Sequence, residues 1–485
     1  MALKVIVLAA YAALIITVAV LRGRKTKSFS DFFLGGGKVG PWMTAFTYGA
    51  AYFSAVLFIG FAGKVGWGFG YSGLWIAVGN ALIGVLAVWW IMGERVKKMA
   101  TEMGVATMGE YLEKRYRSPF LKLFSSLSIF VFFIPYSAAV FIGLSYLFQL
   151  NFNTAYWQAL IFMGVFTAFY IVLGGYKSMT MMDVVFGTLM LIGGAVLVVS
   201  VLSKTGGIAS ATAQLNAINP KLTAVVGPPG WWPLFALVFL TSVAPFGMPQ
   251  LIQKFYAVRD RRAIRIGMVI STLFAILLSS VAYFSGSVIR LLISPETAPA
   301  AFAGGKPVYD ALMPEMLVRV VPGPLSILIL LLILAASMST LAALVLISSS
   351  AVAKDFYAGF VNPKVSDKTL TTMMRGLSAL FAALSVVFAW LRPATIVSIL
   401  GISWGAIGSV FLGPFVWGLL TKRANKLGAV AGSVLALSAC LVLYFAGMSS
   451  PEAGTIGMLV SLVSVPLLSL FGSRPASEQK YPKTA

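Results

Sequence analysis

The chain reads as an all-α polytopic membrane protein whose central helices form two groups of about five, oppositely oriented in the bilayer. Three observations predict that class. The chain is 59% hydrophobic and only 10% charged, with a mean hydropathy of +0.93. Its apolar residues gather into repeated segments of the roughly 20 residues a membrane crossing requires. Finally, two of those segments carry breaks at matching places, T-Y-G-A-A-Y-F-S-A at Thr47–Ala55 and T-S-V-A-P-F-G-M-P at Thr241–Pro249.

Hydropathy gives about 13 spans, running near 3–21, 43–65, 70–93, 119–148, 154–173, 180–203, 233–252, 264–292, 322–350, 373–391, 394–420, 427–447 and 455–472. The first lacks a basic stretch before it and ends in Arg22, Arg24 and Lys25, which reads as a retained helix and not a signal peptide. With the N-terminus outside and the C-terminus in the cytoplasm, about 28 of the 36 Lys and Arg fall on the cytoplasmic side, as the bias of basic loops requires. The inner clusters are Arg22–Lys27, Arg95–Lys98, Lys114–Arg117, Arg259–Arg265, Lys364–Arg375 and Lys422–Lys426. The net charge of +22 therefore reflects topology in the plasma membrane, not affinity for nucleic acid. Trp231 and Trp232 sit where an interfacial anchor would.

Dropping the first span leaves two groups that begin on opposite sides, the first near Trp42 and the second near Trp232. Transporters with that inverted repeat break the first helix of each group at mid-membrane, where free carbonyls and helix ends bind cargo. Gly49 and its small neighbours mark the first break; Pro245, Gly247 and Pro249 mark the second. Proline frees a carbonyl by removing a donor, and in lipid that carbonyl must be rebound. The organisation expected is an extra N-terminal helix and cytoplasmic loop over 1–42, a first repeat over 43–203, a second over 204–420, and two extra helices with a short tail over 421–485.

The absences narrow the chemistry. No His occurs and Cys440 is the only cysteine, so His relays, intramolecular disulfides and zinc-type spacing are out. There is no P-loop, no GxGxxG before a helix and no nucleophile–base set, so no enzyme is expected. Glu94 and Asp355 lie at inner helix ends beside bases, a pattern that reads as solvated pairing.

The segment Leu334–Tyr357 is apolar yet rich in small polar groups. Ala336, Ser339 and Thr340 share one helical face, offering a carbonyl and two hydroxyls. Neutral oxygens suit a small monovalent cation and are too few for Ca²⁺; close helix packing by small residues is the competing reading.

Several pieces together resemble the sodium:solute symporter family. They are F-F-L-G-G-G-K-V-G-P-W (Phe32–Trp42), G-A-A-Y-F-S-A, G-G-Y-K-S-M-T-M-M-D (Gly174–Asp183), F-G-M-P-Q-L-I-Q-K-F-Y-A-V-R-D (Phe246–Asp260) and A-A-S-M-S-T…S-S-S-A-V-A-K-D-F-Y (Ala335–Tyr357). The resemblance implies the leucine-transporter-type 5+5 inverted repeat and Na⁺ as coupling ion. It implies a Na⁺ site made by the carbonyls of Ala50, Phe53 and Ala336 and the hydroxyls of Ser339 and Thr340. Some members hold a second Na⁺ through an Asp at the position of Asp183 and hydroxyls one turn past the first site. Here that turn carries Ala342 and Ala343, so one Na⁺ per cycle is expected and Asp183 is a possible second-ion or gating residue.

Cargo is expected beside the breaks, lined by Tyr52, Phe53 and Ser54, by Thr241, Ser242, Pro245 and Phe246, and by Tyr136. Proline-type relatives carry an Asp where this chain has Tyr52 and a Trp where Thr241 aligns. A-A-Y-F-S-A-V-L-F-I-G is closer to the pantothenate and monocarboxylate branch. The expected function is Na⁺-coupled symport of a small organic solute, such as a monocarboxylate, pantothenate or an amino acid. The alternatives are Na⁺/proline symport, H⁺ coupling, for which Asp183 is the one candidate, and a transporter-like receptor. The tail after Phe471 is shorter than the about 50 residues of a signalling domain. Oligomeric state is not legible.

Overall fold

The computed structural model describes residues 2–23 and 28–472. The stretch 24–27 of the first basic cluster, and the tail from 473, lie outside the described residues. The long elements are α1 (Ala2–Gly23), α2 (Pro41–Tyr52), α3 (Val56–Met103), α4 (Pro119–Phe152), α5 (Tyr156–Thr205), α6 (Trp231–Val243), α7 (Pro249–Ala257), α8 (Arg261–Ser287), α9 (Tyr309–Val320), α10 (Gly323–Val361), α11 (Asp367–Leu391), α12 (Ile396–Leu420), α13 (Lys426–Phe445) and α14 (Ser450–Leu468).

Among the described residues, 11 helices are long and apolar enough to cross a membrane, where the hydropathy reading gave about 13 spans. The difference lies in α3 and α5, which run 48 and 50 residues. A straight helix of that length would measure about 75 Å, against a hydrocarbon core of about 30 Å. Both bend at a glycine with left-handed backbone. Gly70 has φ +59, and a Cβ there would lie 2.2 Å from the Leu222 carbonyl oxygen; Gly175 has φ +61 with Phe32 Cδ2 at 2.7 Å. Only glycine tolerates both the conformation and the contact.

α10 forms the centre of the bundle. In its most apolar window 94% of residues are buried, against 17% in α1. It packs against α2, α4, α5 and α7, and its Ser, Thr and Ala content permits that close approach. α13 and α14 pack on α12 at one side, and α1 packs on α5.

The breaks fall where two helices end and restart. α2 begins with Pro41 in its first turn and ends at Tyr52; Phe53 is extended at φ −107, ψ 118. Ser54 Oγ then accepts from Val56 N at 3.2 Å, capping the restart as Ser does at helix N-termini. The first break thus lies a few residues beyond Gly49. That glycine is required for packing instead: a Cβ would sit 2.6 Å from Phe274 Cδ1. At the second break α6 ends at Val243, a short turn spans Ala244–Phe246, and α7 starts at Pro249.

Both ends of the bundle are closed around these breaks. On the side of the basic clusters, Val39 N donates to Ala257 O at 3.1 Å and Arg259 N to Val39 O at 3.0 Å. Gln253 Nε2 donates to Phe33 O at 2.8 Å. On the other side, α9 lies over α3 and α4, and the Asp310 carboxylate accepts from Ile396 N, the first residue of α12, at 3.1 Å.

One expectation is corrected. Asp355 is not a solvated partner of nearby bases: it is 1% exposed and accepts from Thr107 Oγ1 at 2.6 Å, because α10 continues its helix to Val361 and carries the carboxylate to the N-cap of the short helix Met108–Tyr116. Glu94 behaves as read, pairing on the surface with Arg261 at 2.5 Å.

Candidate functional site

The site forms where the unwound end of α2 meets α10. The last carbonyls of any α-helix lack intrahelical donors, and α2 ends inside protein with Ala50 at 0% and Phe53 at 2% exposure. Facing it, Ala336, Ser339 and Thr340 are fully buried. Thr340 Oγ1 lies 3.3 Å from the carbonyl of Ala51 and 3.1 Å from that of Ala336. Ser339 Oγ is buried and closes no well-formed hydrogen bond among the described residues, although the Asp183 carboxylate faces it. Buried hydroxyls are nearly always partnered, so a hydroxyl without a completed bond beside loose carbonyls is what a cation site without its ion would leave. The donor set is uncharged oxygen, suited to a monovalent ion that must be released again.

Behind Ser339 stands a second polar group that the sequence shows only in part. Asp183, on α5, is 0% exposed, and neither of its oxygens has a completed hydrogen bond. It faces the Lys254 ammonium of α7 and the hydroxyls of Ser339 and Thr47. Lys254 is itself fully buried, with Nζ 5.1 Å from the centre of the Tyr176 ring. No hydrogen bond joins the two, and Lys254 Nζ is likewise without a hydrogen-bond partner among the described residues; their opposite charges interact across the gap, which offsets part of the several kcal/mol that an isolated charge costs at such depth. Sequence reasoning missed Lys254 because it sits only a few residues from the basic loop at Arg259.

Next to this cluster is a cavity of about 30 Å³. Its walls include five expected residues, Tyr52, Phe53, Ser54, Tyr136 and Thr241. They also include Asn80, Tyr283 and Trp404, which the sequence reading did not single out. Ser242 lies one layer behind, its Oγ 3.2 Å from Asn80 Oδ1, and Phe246 is not among the walls. Tyr52 Oη donates to the Thr241 carbonyl at 2.6 Å, tying the two breaks together. That bond needs the carbonyl that the second break leaves free. Trp404 stacks on Tyr52 at 6.1 Å between ring centres and meets Tyr136 edge-on at 5.9 Å. Its buried indole Nε1 closes no well-formed hydrogen bond among the described residues but faces the Tyr136 hydroxyl. No charged side chain lines the cavity. Its volume is about a tenth of the roughly 300 Å³ at which ligand pockets begin, so the walls must part before an organic solute is accommodated.

Two broken helices crossing at an aromatic-walled cavity, with a neutral-oxygen cluster on one side, suit the passage of a solute better than its chemical conversion. The model of the Sodium:solute symporter family matches residues 32–436. The chain belongs to that family. Its relatives are transporters, not enzymes, and Na⁺ is the family's coupling ion. The chain is 30% identical over 470 residues to the sodium/pantothenate symporter of Escherichia coli (strain K12), covering 95% of this chain and 93% of that one. It is 28% identical to the high-affinity proline transporter PutP of Bacillus subtilis (strain 168), covering 93% and 95%. A solved structure of a Na⁺-coupled sialic acid symporter, substrate-bound and outward-open, superposes with a TM-score of 0.80 at 18% identity, covering 97% of this chain and 98% of that chain. The fold is thus the leucine-transporter-type inverted repeat, with α2 and the start of α3 opening the first half and α6 and α7 opening the second.

Proposed function

We propose that this symporter carries a small organic carboxylate into the cell with one Na⁺ per cycle. The Na⁺ is held by the carbonyls of Ala50, Phe53 and Ala336 and the hydroxyls of Ser339 and Thr340. The observation that carries the reading is the cavity at the crossing of the breaks. Its polar groups are neutral, Trp404 Nε1 and the Tyr136 hydroxyl face each other without a well-formed hydrogen bond among the described residues, and the restart of the helix at Val56 brings the positive end of a helix dipole to its wall. Neutral donors and a helix end stabilise a carboxylate without a buried counter-charge, and the aromatic rings of Tyr52, Tyr136 and Trp404 cover its apolar body.

One Na⁺ per cycle rests on Ala342 and Ala343, which supply no further hydroxyls, and on Lys254, which already balances the charge of Asp183. Asp183 then acts as a gating element that the departing Na⁺ passes through Ser339. The repeats span 43–203 and 204–420, and the basic excess places the N-terminus outside.

The test is uptake of labelled proline, pantothenate, pyruvate, lactate and acetate into proteoliposomes, with Na⁺ or with choline outside. The reading expects one of the carboxylates other than proline to accumulate only with Na⁺, and Trp404→Phe to weaken that solute at unchanged Na⁺ dependence. Na⁺-driven uptake of proline alone would replace the proposed cargo.

A further inference from the structure

On the basic side of the bundle, the inner part of α3 and the start of α8 diverge and leave a cavity of about 1020 Å³ between them. It is separate from the cargo cavity and open at the flank. Its upper wall is apolar and faces the membrane: Trp90 is 74% exposed and Val269 53% exposed, with Met268 beside them. Its back is closed by Trp89, which packs so tightly on Gly267 that a Cβ there would lie 2.5 Å from the indole.

Its lower rim is cationic. Arg95, Lys97, Lys98, Arg261 and Arg265 line it against two acids, Glu94 and Glu102. Glu94 is shared between Arg261 at 2.5 Å and Arg265 at 3.7 Å, and Glu102 meets Lys98 at 3.7 Å. The bases remain in excess after every pairing, and the side chains of Arg261, Arg265 and Lys98 are 63–75% exposed.

We propose that this cavity is a binding site for an anionic phospholipid. The phosphate lies on the Arg261–Arg265–Lys98 rim, and an acyl chain lies along Trp90, Met268 and Val269. A basic pocket between membrane helices on the cytoplasmic side is where anionic headgroups are held, and Trp marks the headgroup level. A free phosphate would satisfy the rim alone and leave the apolar wall unused. A zwitterionic lipid would bring a second cation against the bases. The bound lipid clamps α8, whose Ser271 Oγ donates to Ala45 O of α2 at 3.0 Å, and so bears on the helix that ends at the first break.

The full chain, purified and delipidated in neutral detergent, is offered phosphatidylglycerol, phosphatidylcholine with the same acyl chains, or glycerol 3-phosphate. Retained adducts are read by native mass spectrometry and stability by thermal unfolding. Phosphatidylglycerol is expected to be retained and to raise the midpoint, with both effects falling as salt rises. Each base at an anionic headgroup contributes about a fivefold preference, so Arg261→Gln/Arg265→Gln is expected to lose about 25-fold of it. Arg95→Gln/Lys98→Gln serves as an independent pair if the first disturbs folding through Glu94. Equal retention of the two lipids, an equal effect of glycerol 3-phosphate, unchanged preference in either folded pair, or a co-purifying polypeptide occupying the cavity would overturn the assignment.

Discussion

Removing the Thr340 hydroxyl perturbs the proposed Na⁺ site with the least disturbance around it. Thr340→Ala deletes one of five oxygens and a methyl group from a position 0% exposed. It also removes the contacts of 3.3 Å to Ala51 O and 3.1 Å to Ala336 O. A hydrogen-bonding group acting on a charged partner contributes about 1.5–3 kcal/mol, so Na⁺ affinity is expected to fall about 10- to 100-fold at about 1.4 kcal/mol per tenfold. Loss of the neutral contacts costs the fold about 1 kcal/mol more, which lowers the melting midpoint at every Na⁺ concentration and does not imitate an affinity change. Because Na⁺ binds the folded state alone, it stabilises by RT ln(1 + [Na⁺]/Kd). The melting midpoint against NaCl, with choline chloride holding ionic strength constant, reads Kd without knowledge of the cargo. Thr340→Ser keeps the oxygen and is expected to retain the wild-type Na⁺ dependence, with the midpoint lowered equally at every Na⁺ concentration by the lost methyl group. A Thr340→Ala curve superposable on wild type along the Na⁺ axis would refute the ligand assignment.

Three further outcomes follow from the geometry. Lys254→Met leaves Asp183 as an uncompensated buried charge and is expected to cost about 3–5 kcal/mol of stability, while Lys254→Met/Asp183→Asn recovers most of it; thermal unfolding compares the three, and a double variant no better than the single would contradict the pairing. Burial pushes the Asp310 carboxyl up to about 6, opposed by the Ile396 N–H, Lys64 and Arg392. With α9 undocked, the group returns to its ordinary value of 3.8, so the docked state binds the extra proton. Docking is therefore strongest below about pH 4 and weakens by up to about 3 kcal/mol as pH rises from about 4 to about 6, beyond which it is constant. Hydrogen exchange of 309–320, corrected for intrinsic rates, is expected to be slower at pH 5 than at pH 7.5, and Asp310→Asn to abolish that difference. Gly66→Ala would place a Cβ 2.1 Å from the Gly286 backbone, and is expected to cost several kcal/mol in unfolding measurements, because neither backbone can yield.

The parts legible in the sequence were those governed by period and composition. Hydropathy gave the helices, and proline chemistry located the second break to within a residue or two. Helical spacing put Ser339 and Thr340 on one face, and the structure brings that face to the end of α2. The first break falls at Phe53–Ser54, inside the expected Thr47–Ala55, but Gly49 was the wrong marker for it: its lack of a side chain makes room for Phe274 of α8. Trp404, Asn80 and Tyr283 were illegible as cavity walls: each lies on a different helix, in surroundings that look like ordinary packing, and only tertiary convergence separates them from other buried polar residues. Asp355 was misread, and Lys254 passed over, for a related reason. A charge near a basic loop reads as solvated unless a helix continues and carries it inward, which periodicity alone does not reveal.

The central claim is that a Na⁺ ion held between α2 and α10 drives the solute inward. It is tested most directly by measuring solute-dependent ²²Na⁺ flux together with solute flux in the same proteoliposomes under an imposed Na⁺ gradient. The account predicts concentrative solute uptake accompanied by about one Na⁺ per solute, with both fluxes requiring the gradient. Solute uptake of equal rate and extent with choline in place of Na⁺, or solute-independent Na⁺ entry, would contradict it.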